Sequence, residues 1–306
     1  MAERLLEVRN VSKTFLEIKA VDNLSFKIKG GEIFGLLGPN GAGKTTMLRM
    51  IMNIIMPDEG EILFNDEERR RIKNKIFGYL PEERGLYPRI TVLEILVYFG
   101  TLNNLSARKA EVQAIRLLDR LGLVEFADSR INQLSKGMQQ KVQFIASILH
   151  NPEILILDEP FAGLDPINQV VLREVLMEYK RRNRILLIST HQMEQAEKLC
   201  DHICLVNQGK VILDGKLGSL KKQKRENAYY IESDESLSFI KKITGVTILQ
   251  EDSKACKFSL AANYKNVAPI IAHIEKKVKI KKFEIVEPSL HDIFISLIQK
   301  QTGEDV

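Results

Sequence analysis

The sequence has few cysteines and no long apolar run, and these two absences exclude several classes of protein. Cys200, Cys204 and Cys256 form neither a Cys-x-x-Cys pair nor an even set, which argues against a disulfide framework and suits a reducing compartment. No apolar stretch reaches the length of a membrane span, and the start, MAERLLEVRN, lacks the apolar segment of a secretion signal. We therefore expect a globular protein of the cytoplasm.

Positive charge is only slightly in excess, with a formal net charge of +5. The basic residues nevertheless cluster in four stretches, RRRIKNK (69–75), KRRNR (180–184), KKQKR (221–225) and KKVKIKK (276–282). Aromatic residues do not interleave with them as they do on many nucleic-acid-binding surfaces. We therefore predict solvated helix or strand faces and expect no nucleic-acid partner, with a polyanion site as the alternative.

The hydrophobic pattern predicts a mixed α/β fold. Residues 5–28 alternate apolar and polar side chains, as half-buried antiparallel strands do. The stretches EIFGLL (32–37), EILILD (153–158) and RILLIST (184–190) are nearly continuous apolar runs, typical of parallel strands that are covered on both faces. Residues 91–150 show apolar side chains at helical spacing and predict a helical insertion.

A second domain is predicted after Leu220. The charged stretch 221–227 indicates a linker, and the following residues alternate strand, helix, strand, strand, helix, strand, helix. We therefore predict a main domain over residues 1–220, with a helical subdomain at about 88–150, and a small α+β domain over 221–306. No internal repeat or low-complexity segment is evident.

A glycine-rich stretch, GPNGAGKTT, joins the first apolar strand to a helix. Its glycines allow successive backbone N–H groups to point toward a phosphate, and the helix start adds its positive end. We predict a phosphate-binding loop in which Lys44 contacts the β- and γ-phosphates and the Thr45 hydroxyl binds Mg²⁺, with an ordinary glycine-rich turn as the alternative. The predicted nucleotide-binding residues of this loop are Gly38, Pro39, Asn40, Gly41, Ala42, Gly43, Lys44, Thr45 and Thr46.

Two adjacent acids, Asp158 and Glu159, directly follow the apolar run ILIL. Burying a carboxylate costs free energy unless a cation or a reaction requires it there. We predict that their strand neighbours the strand of the phosphate-binding loop, so that Asp158 holds Mg²⁺ and Glu159 orients and deprotonates the attacking water. Pairing of these acids with nearby Lys or Arg is the structural alternative.

Histidine and cysteine side chains near the third apolar strand need separate interpretations. His191 follows ILLIST, and we predict that it reaches the same sheet edge and contacts the γ-phosphate, although a lone histidine is usually structural. Cys200, His202 and Cys204 alternate at a predicted helix–strand junction. Core packing explains this spacing best, and a metal site is the alternative.

A second anion site is predicted at LSKGMQQK, residues 134–141, because a serine hydroxyl and free N–H groups lie together at an apparent helix start. With this stretch the sequence resembles the ATP-binding subunits of ABC transporters over about residues 4–220. LSKGMQ is similar to their signature motif, GPNGAGKTT to Walker A, ILILDEP to Walker B, GLD (163–165) to the D-loop and His191 to the switch histidine. EERGLYP and the C-terminal extension ending EPSLHDIFISLI resemble a bacterial branch that energises ABC-2-type exporters, including sodium-extrusion and drug-resistance systems.

The resemblance implies an ATPase with a P-loop core, an antiparallel β edge and a helical insertion. It also implies that two copies, or this chain and a related subunit, pair head to tail, so that each signature closes on the ATP of the other chain. Ser135, Lys136, Gly137 and Asp165 would then join the nucleotide site, and Phe15 falls where the family stacks an aromatic ring on adenine. Dimer closure with ATP and opening after hydrolysis would power an integral membrane permease on the inner face of the cell membrane.

Two positions depart from the family pattern. Lys136 occupies the place of a signature glycine, and Glu82 stands where the family commonly has a glutamine that contacts the metal and the attacking water. The resemblance therefore places Glu82 at both nucleotide and metal, where its charge predicts slow turnover unless Lys136 or Arg84 compensates it. Residues 82–88 and the following TVLEILVYFG are expected to line the permease contact, with core packing as the alternative for Leu86 and Tyr87.

Two other classes of nucleotide-binding protein lack support in the sequence. An ABC ATPase that acts on ribosomes or DNA usually carries two cassettes in one chain or a long coiled coil, and this chain has neither. A GTPase should show an NKxD motif, which is absent.

Overall fold

The computed structural model describes residues 4–83, 85–223, 228–260, 267–286, 289–294 and 297. The chain divides into two compact units, Met1–Leu217 and Gly218–Val306. Within the described ranges, no helix combines the length and the apolar character that crossing a membrane requires.

The first unit begins with three strands, and a run of three helices lies between its sixth and seventh strands. Its described strands are β1 (Leu5–Phe15), β2 (Ile18–Lys29), β3 (Ile33–Leu37), β4 (Glu59–Phe64), β5 (Glu67–Glu68), β6 (Phe77–Leu80), β7 (Ile154–Asp158), β8 (Ile185–Thr190), β9 (His202–Asn207) and β10 (Lys210–Lys216). Its described helices are α1 (Lys44–Ile51), α2 (Val92–Leu102), α3 (Ala107–Arg120), α4 (Lys136–Ile148), α5 (Pro166–Arg181) and α6 (Met193–Leu199), and α7 (Leu217–Gln223) begins at the last residue of the unit.

The strands described in the first unit form two sheets. An antiparallel sheet has the order β2-β1-β4-β5, and the alternation of residues 5–28 produces its half-buried strands. The second sheet has the order β10-β9-β3-β8-β7-β6, in which only the β10–β9 pair is antiparallel. The mixed α/β architecture agrees with the prediction, because runs such as ILILD and ILLIST are buried at every position.

The predicted position of the acidic strand is wrong. β7, which ends at Asp158, does not pair with β3; β8 lies between them and pairs with both. A continuous apolar run indicates a strand that is covered on both faces, but it does not specify the neighbours of that strand. Because β3, β8 and β7 are parallel and adjacent in that order, their carboxyl ends still lie at one edge of the sheet.

The helical insertion lies between β6 and β7 and contains α2, α3 and α4. α2 begins with a capping box, in which the Thr91 hydroxyl accepts from Glu94 N and the Glu94 carboxylate accepts from Thr91 N at 3.0 Å. Ser106 caps α3 through a bond from Lys109 N. These local signals set the helix starts, and apolar side chains on each helix are buried.

The second unit contains a four-stranded antiparallel sheet and a helix. Its described elements are β11 (Ala228–Ser233), β12 (Val246–Glu251), β13 (Ala255–Leu260), α8 (Ala268–Glu275) and β14 (Ile280–Val286), with the strand order β12-β13-β11-β14. Residues 290–294 are also helical. Ile231, Phe258 and Ile274 are fully buried in its core, so this unit has an apolar core of its own.

The cysteines are buried within their units, and His202 is half-buried. Cys200 and Cys204 are buried, and burial raises the pKa of the Cys200 thiol to about 12. The His202 ring stacks on Phe34 at a centroid distance of 5.0 Å, and its Nε2 lies 2.9 Å from an Asp214 carboxylate oxygen. These contacts account for the alternating spacing by core packing.

The basic stretch 69–75 is not a solvated face throughout, because Arg69 is only 3% exposed. Its guanidinium lies 3.8 Å from the centre of the Phe77 ring and donates to Ile51 O at 2.6 Å and to Met52 O at 3.1 Å. These carbonyls end α1, where backbone acceptors have no intrahelical donor. Burial lowers the pKa of Arg69 to about 10, so the group stays charged at neutral pH.

Replacing Arg69 by Met should lower the free energy of unfolding by about 2–4 kcal/mol, because several buried carbonyls lose their donor. Arg70→Met is the matched control, since Arg70 is exposed and pairs with Glu68 at the surface. That variant should change the free energy of unfolding by less than about 1 kcal/mol. Urea denaturation measures both, and equal effects would contradict a structural role for the Arg69 guanidinium.

Candidate functional site

The glycine-rich loop follows β3 and ends where α1 begins at Lys44. Lys44 is 7% exposed, and its Nζ donates to Gly38 O at 2.8 Å and to Pro39 O at 3.0 Å. Burial lowers the pKa of the Lys44 ammonium, and the carboxylates of Glu159 and Asp158 oppose that shift. The loop thus wraps around a cation that has no carboxylate bonded directly to it among the described residues.

A cleft of about 390 Å³ opens at the carboxyl edge of the parallel strands. Its lining residues are Ala20, Asn40, Gly41, Gly43, Lys44, Thr45, Thr46, Glu82, Asp158 and Glu159. The structure therefore brings together most of the glycine-rich loop, both predicted acids and Glu82, whereas Gly38, Pro39 and Ala42 belong to the loop without lining the cleft.

Asp158 is 1% exposed and lies between two hydroxyl groups. Thr45 Oγ1 donates to Asp158 Oδ2 at 2.9 Å, and Ser189 Oγ donates to Asp158 Oδ1. Burial raises the pKa of Asp158, while the two hydroxyl bonds and the Lys44 charge lower it. Ser189 was not predicted as a site residue. It reaches Asp158 because the two residues are opposite each other on β8 and β7.

The oxygen atoms beside Asp158 fit a magnesium ion. Mg²⁺ prefers carboxylate and hydroxyl oxygens, is usually held by one or two carboxylates, and completes its shell with phosphate oxygens and water. Thr45 Oγ1 and Asp158 Oδ2 already converge, and a cation would favour the ionised form of the carboxylate whose pKa is raised by burial. In the described part of the chain, no group of three or more His, Cys, Asp or Glu side chains is arranged so that it could hold a metal ion by itself. A dedicated all-protein cage is therefore not formed there.

Glu159 is held at three points by the last residue of β8, Thr190, and by His191, which follows it. Thr190 Oγ1 donates to Glu159 Oε2 at 2.9 Å, and His191 N donates to Oε1 at 2.8 Å. His191 Nδ1 lies 2.6 Å from the same Oε1, so this nitrogen carries the proton. Glu159 has a φ of 48°, a left-handed conformation that costs free energy in a non-glycine residue and that often marks a functional site. The contact with Thr190 was not predicted.

Besides Gly38, Pro39 and Ala42, six residues predicted to meet the nucleotide do not line the cleft within the described chain: Phe15, Ser135, Lys136, Gly137, Asp165 and His191. Of these, His191 contacts Glu159, which does line it. The Phe15 ring is 45% exposed and lies 5.6 Å from Lys13 Nζ. Lys136 is exposed, and Arg84, the other cation proposed to compensate Glu82, lies outside the described residues.

Ser135, Gly137, Gly163 and Asp165 form a second cluster at two helix starts. Ser135 caps α4 by accepting from Met138 N at 3.3 Å, and Asp165 caps α5 by accepting from Asn168 N at 2.9 Å. The two starts are close together, since a Cβ atom at Gly137 would lie 3.1 Å from Gly163 O. Ser135 is an exposed residue. This second cluster therefore presents helix N-termini to solvent, away from the chain's own cleft.

Comparison with known families agrees with these features. A family model described as ABC transporter matches residues 21–162, and one described as the C-terminal domain of DrrA1-3-like ATP-binding proteins matches residues 215–298. The chain is 42% identical over 295 residues to the uncharacterized ABC transporter ATP-binding protein YhaQ of Bacillus subtilis (strain 168), covering 96% of this chain and 98% of that protein. It is 39% identical over 218 residues to Nod factor export ATP-binding protein I of Paraburkholderia xenovorans (strain LB400), covering 70% and 72%.

Solved structures give the same result for the fold. An ATP-binding subunit of an ABC transporter matches with a TM-score of 0.67 and 32% identity, covering 72% of this chain and 93% of that one. The dimeric post-hydrolysis cassette MJ0796, bound to ADP and Pi, matches with a TM-score of 0.63 and 28% identity, covering 69% and 98%. The predicted P-loop ABC ATPase fold is confirmed. The chain belongs to the ATP-binding subunits of ABC transporters, nucleotide-hydrolysing proteins that power transport, in the branch with a DrrA-like C-terminal domain.

Proposed function

We propose that two copies of this chain sandwich two ATP molecules and that hydrolysis separates them to drive an export permease. In each site, the cleft of one copy would hold the triphosphate, and the second cluster of the other copy would close on the γ-phosphate. One observation supports this proposal most strongly: the two features suited to bind an anion, the cleft and the start of α4, lie apart in one chain. The cleft contains Lys44 and both acids, whereas the exposed start of α4 at Ser135 lies outside it.

The side chains of the cleft have distinct proposed roles. Lys44 binds the β- and γ-phosphates, and its hydrogen bonds to loop carbonyls hold it in place before nucleotide arrives. Glu159 accepts a proton from the attacking water, and His191 orients this carboxylate and contacts the γ-phosphate. Thr45 and Asp158 hold Mg²⁺, which would neutralise phosphate charge.

Other predicted residues complete the nucleotide site in this proposal. Phe15 stacks on the adenine, and Asp165 positions the start of α5 at the dimer contact. Glu82 lines the cleft and interacts with the metal and the attacking water. Lys136 of the second copy offsets the charge that Glu82 adds near the triphosphate.

A groove beside α4 is the proposed contact for the permease. It has a volume of about 330 Å³ and is lined by Tyr79 from β6, Leu86 from the segment after Glu82, and Phe99 and Ala146 from the helical insertion. Tyr87, which is 52% exposed, packs edge-on against Tyr98 next to this segment. An apolar groove with exposed aromatic side chains fits a helix of a membrane subunit, which would hold the chain at the inner face of the membrane.

The domain assignment and the direction of transport belong to the same proposal. Residues 1–220 act as the ATP-binding domain, with 88–150 as its helical subdomain, and residues 221–306 act as an accessory domain. The matching C-terminal family and the relative described as a Nod factor export protein support an exporter. A pairing with a related ATP-binding subunit instead of a second copy uses the same surfaces.

The Ser135→Asp variant tests the shared site without removing a helix cap. Aspartate caps a helix as well as serine does, so the thermal midpoint should stay unchanged, but its carboxylate would repel the γ-phosphate. We expect at least about a tenfold loss of ATP hydrolysis, with nucleotide still bound by the cleft. Phosphate release and binding of a fluorescent ATP analogue measure the two properties.

Mixing with Lys44→Ala provides the decisive control. A pair made of one Ser135→Asp copy and one Lys44→Ala copy contains one intact composite site, so mixing two inactive variants should restore hydrolysis. Wild-type hydrolysis per chain should also fall on dilution. The proposal would be wrong if Ser135→Asp hydrolysed ATP at the wild-type rate and if the wild-type rate per chain did not depend on protein concentration. One copy would then be sufficient for ATP hydrolysis.

A further inference from the structure

Lys141 is a buried cation on α4 to which the proposed chemistry assigns no role. It is 7% exposed, and burial lowers the pKa of its ammonium group, while the charge of Asp165 opposes that shift. A buried ammonium group costs free energy unless it is hydrogen-bonded. Its Nζ donates to Leu121 O at 2.7 Å and to Asn168 Oδ1 at 3.2 Å. One lysine therefore connects three helices, because Leu121 is the C-cap of α3 and Asn168 lies in the first turn of α5.

The bond from Lys141 fixes the orientation of the Asn168 amide group. An ammonium group only donates, so the amide oxygen faces Lys141 and the amide nitrogen is left to donate elsewhere. Asn168 Nδ2 donates to Asp165 Oδ2, and Asn168 N donates to Asp165 Oδ1 at 2.9 Å. Both carboxylate oxygens of Asp165 are thus held by Asn168, whose side chain is held in turn by Lys141.

Lys141 lies one turn along α4 from Gly137, a member of the second cluster. Residues four positions apart lie on the same face of a helix. A Cβ atom at Gly137 would lie 3.1 Å from Gly163 O, and Lys141 reaches Asn168 further along the same segment. This face of α4 therefore contacts residues 163–168 at two levels. The starts of α4 and α5 are joined to each other, and Lys141 also joins them to the end of α3.

We propose that Lys141 is a positioning residue for the ATP that is held by the other copy. It keeps the starts of α4 and α5 at the spacing with which they close together on the γ-phosphate, and it contacts no nucleotide itself. Without this lysine, Asp165 still caps α5, but the position of that helix start relative to Ser135 is no longer fixed. This inference rests on the proposed shared site and adds a residue that acts across the dimer.

The Lys141→Met variant removes the ammonium group and leaves an unbranched side chain in its place. We expect ATP hydrolysis to fall at least about tenfold, because a displaced second cluster meets the γ-phosphate in the wrong geometry. Binding of a fluorescent ATP analogue by the cleft should be unchanged. Lys109→Met, the same change at an exposed lysine of α3, should hydrolyse ATP at the wild-type rate. Phosphate release measures the rates.

Mixing of inactive variants shows which copy needs Lys141. In a pair with Lys44→Ala, the Lys141→Met copy contributes an intact cleft and the other copy contributes an intact second cluster, so hydrolysis should return. In a pair with Ser135→Asp, both copies carry a damaged second cluster, so the mixture should stay inactive. A general loss of packing in the Lys141→Met variant cannot produce this pattern.

Three results would overturn the proposal. Recovery with Ser135→Asp but not with Lys44→Ala would show that Lys141 serves the cleft of its own copy. Recovery with neither variant would show that the substitution only damages the fold, and a wild-type rate for Lys141→Met alone would show that its contacts do not affect hydrolysis. If Ser135→Asp and Lys44→Ala do not restore each other, the shared site itself is wrong.

Asn168→Ala keeps the test decisive if Lys141→Met loses stability. Asn168 is half-buried, and alanine retains the backbone N–H that donates to Asp165, so α5 keeps its cap. The side-chain link between Lys141 and Asp165 is cut from the other end. Asn168→Ala should lose hydrolysis and show the same pattern on mixing, and the double variant should be no slower than Lys141→Met. A wild-type rate for Asn168→Ala, or recovery with Ser135→Asp, would contradict the proposal.

Discussion

The Glu159→Gln variant should bind ATP, hydrolyse it at least about a hundredfold more slowly than the wild type, and accumulate as a dimer in ATP and Mg²⁺. The amide cannot accept a proton from the attacking water, so the γ-phosphate that joins the two copies stays in place. Phosphate release measures the rate, and gel filtration with and without nucleotide measures the association state.

The contacts around Glu159 indicate that this substitution preserves the local structure. A glutamine Oε1 can still accept from His191 N, and its Nε2 would face Thr190 Oγ1, a hydroxyl that can accept as well as donate. Glu174→Gln, the same change on the exposed side of α5, is the control and should hydrolyse ATP at the wild-type rate. A Glu159→Gln protein that remains monomeric with saturating nucleotide would contradict the composite site.

The elements around the cleft could be predicted because their causes are local. Parallel strands covered on both faces must be apolar at nearly every position, and this produced the runs that became β3, β7 and β8. Strand order depends on which helices pack on which face, and these contacts are distant in sequence. The order β3-β8-β7 therefore could not be predicted from the apolar runs.

The same distinction explains the residues that sequence reasoning missed. Ser189 and Thr190 end an apolar run with two hydroxyls, which is a visible signal, but their targets follow from the pairing of β7 with β8. Arg69 lies in a run of charges that resembles a surface, and it is buried because α1 ends beside it.

Gly43 is the position in the glycine-rich loop at which an added methyl group should have the largest effect. It has a φ of 99°, and a Cβ atom built there would lie 2.3 Å from Ala20 O. The clash is with backbone and not with a flexible side chain, so either the loop or β2 must move. Gly43 also immediately precedes Lys44, so any movement of the loop displaces the start of α1 and the N–H groups that we propose bind the phosphates.

Gly122→Ala is the matched control, because Gly122 also has a positive φ, 66°, but meets no atom within 4 Å. In this variant the strain of the left-handed conformation alone should lower the free energy of unfolding, by about 1–2 kcal/mol, and the ATP affinity should not change.

Gly43→Ala should lower the free energy of unfolding by at least about 2 kcal/mol more than Gly122→Ala does, because a backbone overlap is added to the same strain. We also expect its ATP affinity to fall at least about tenfold, which corresponds to 1.4 kcal/mol of phosphate binding. Urea denaturation and nucleotide titration measure the two quantities, and equal losses in both variants would show that conformational strain alone, and not the contact with Ala20, requires glycine at position 43.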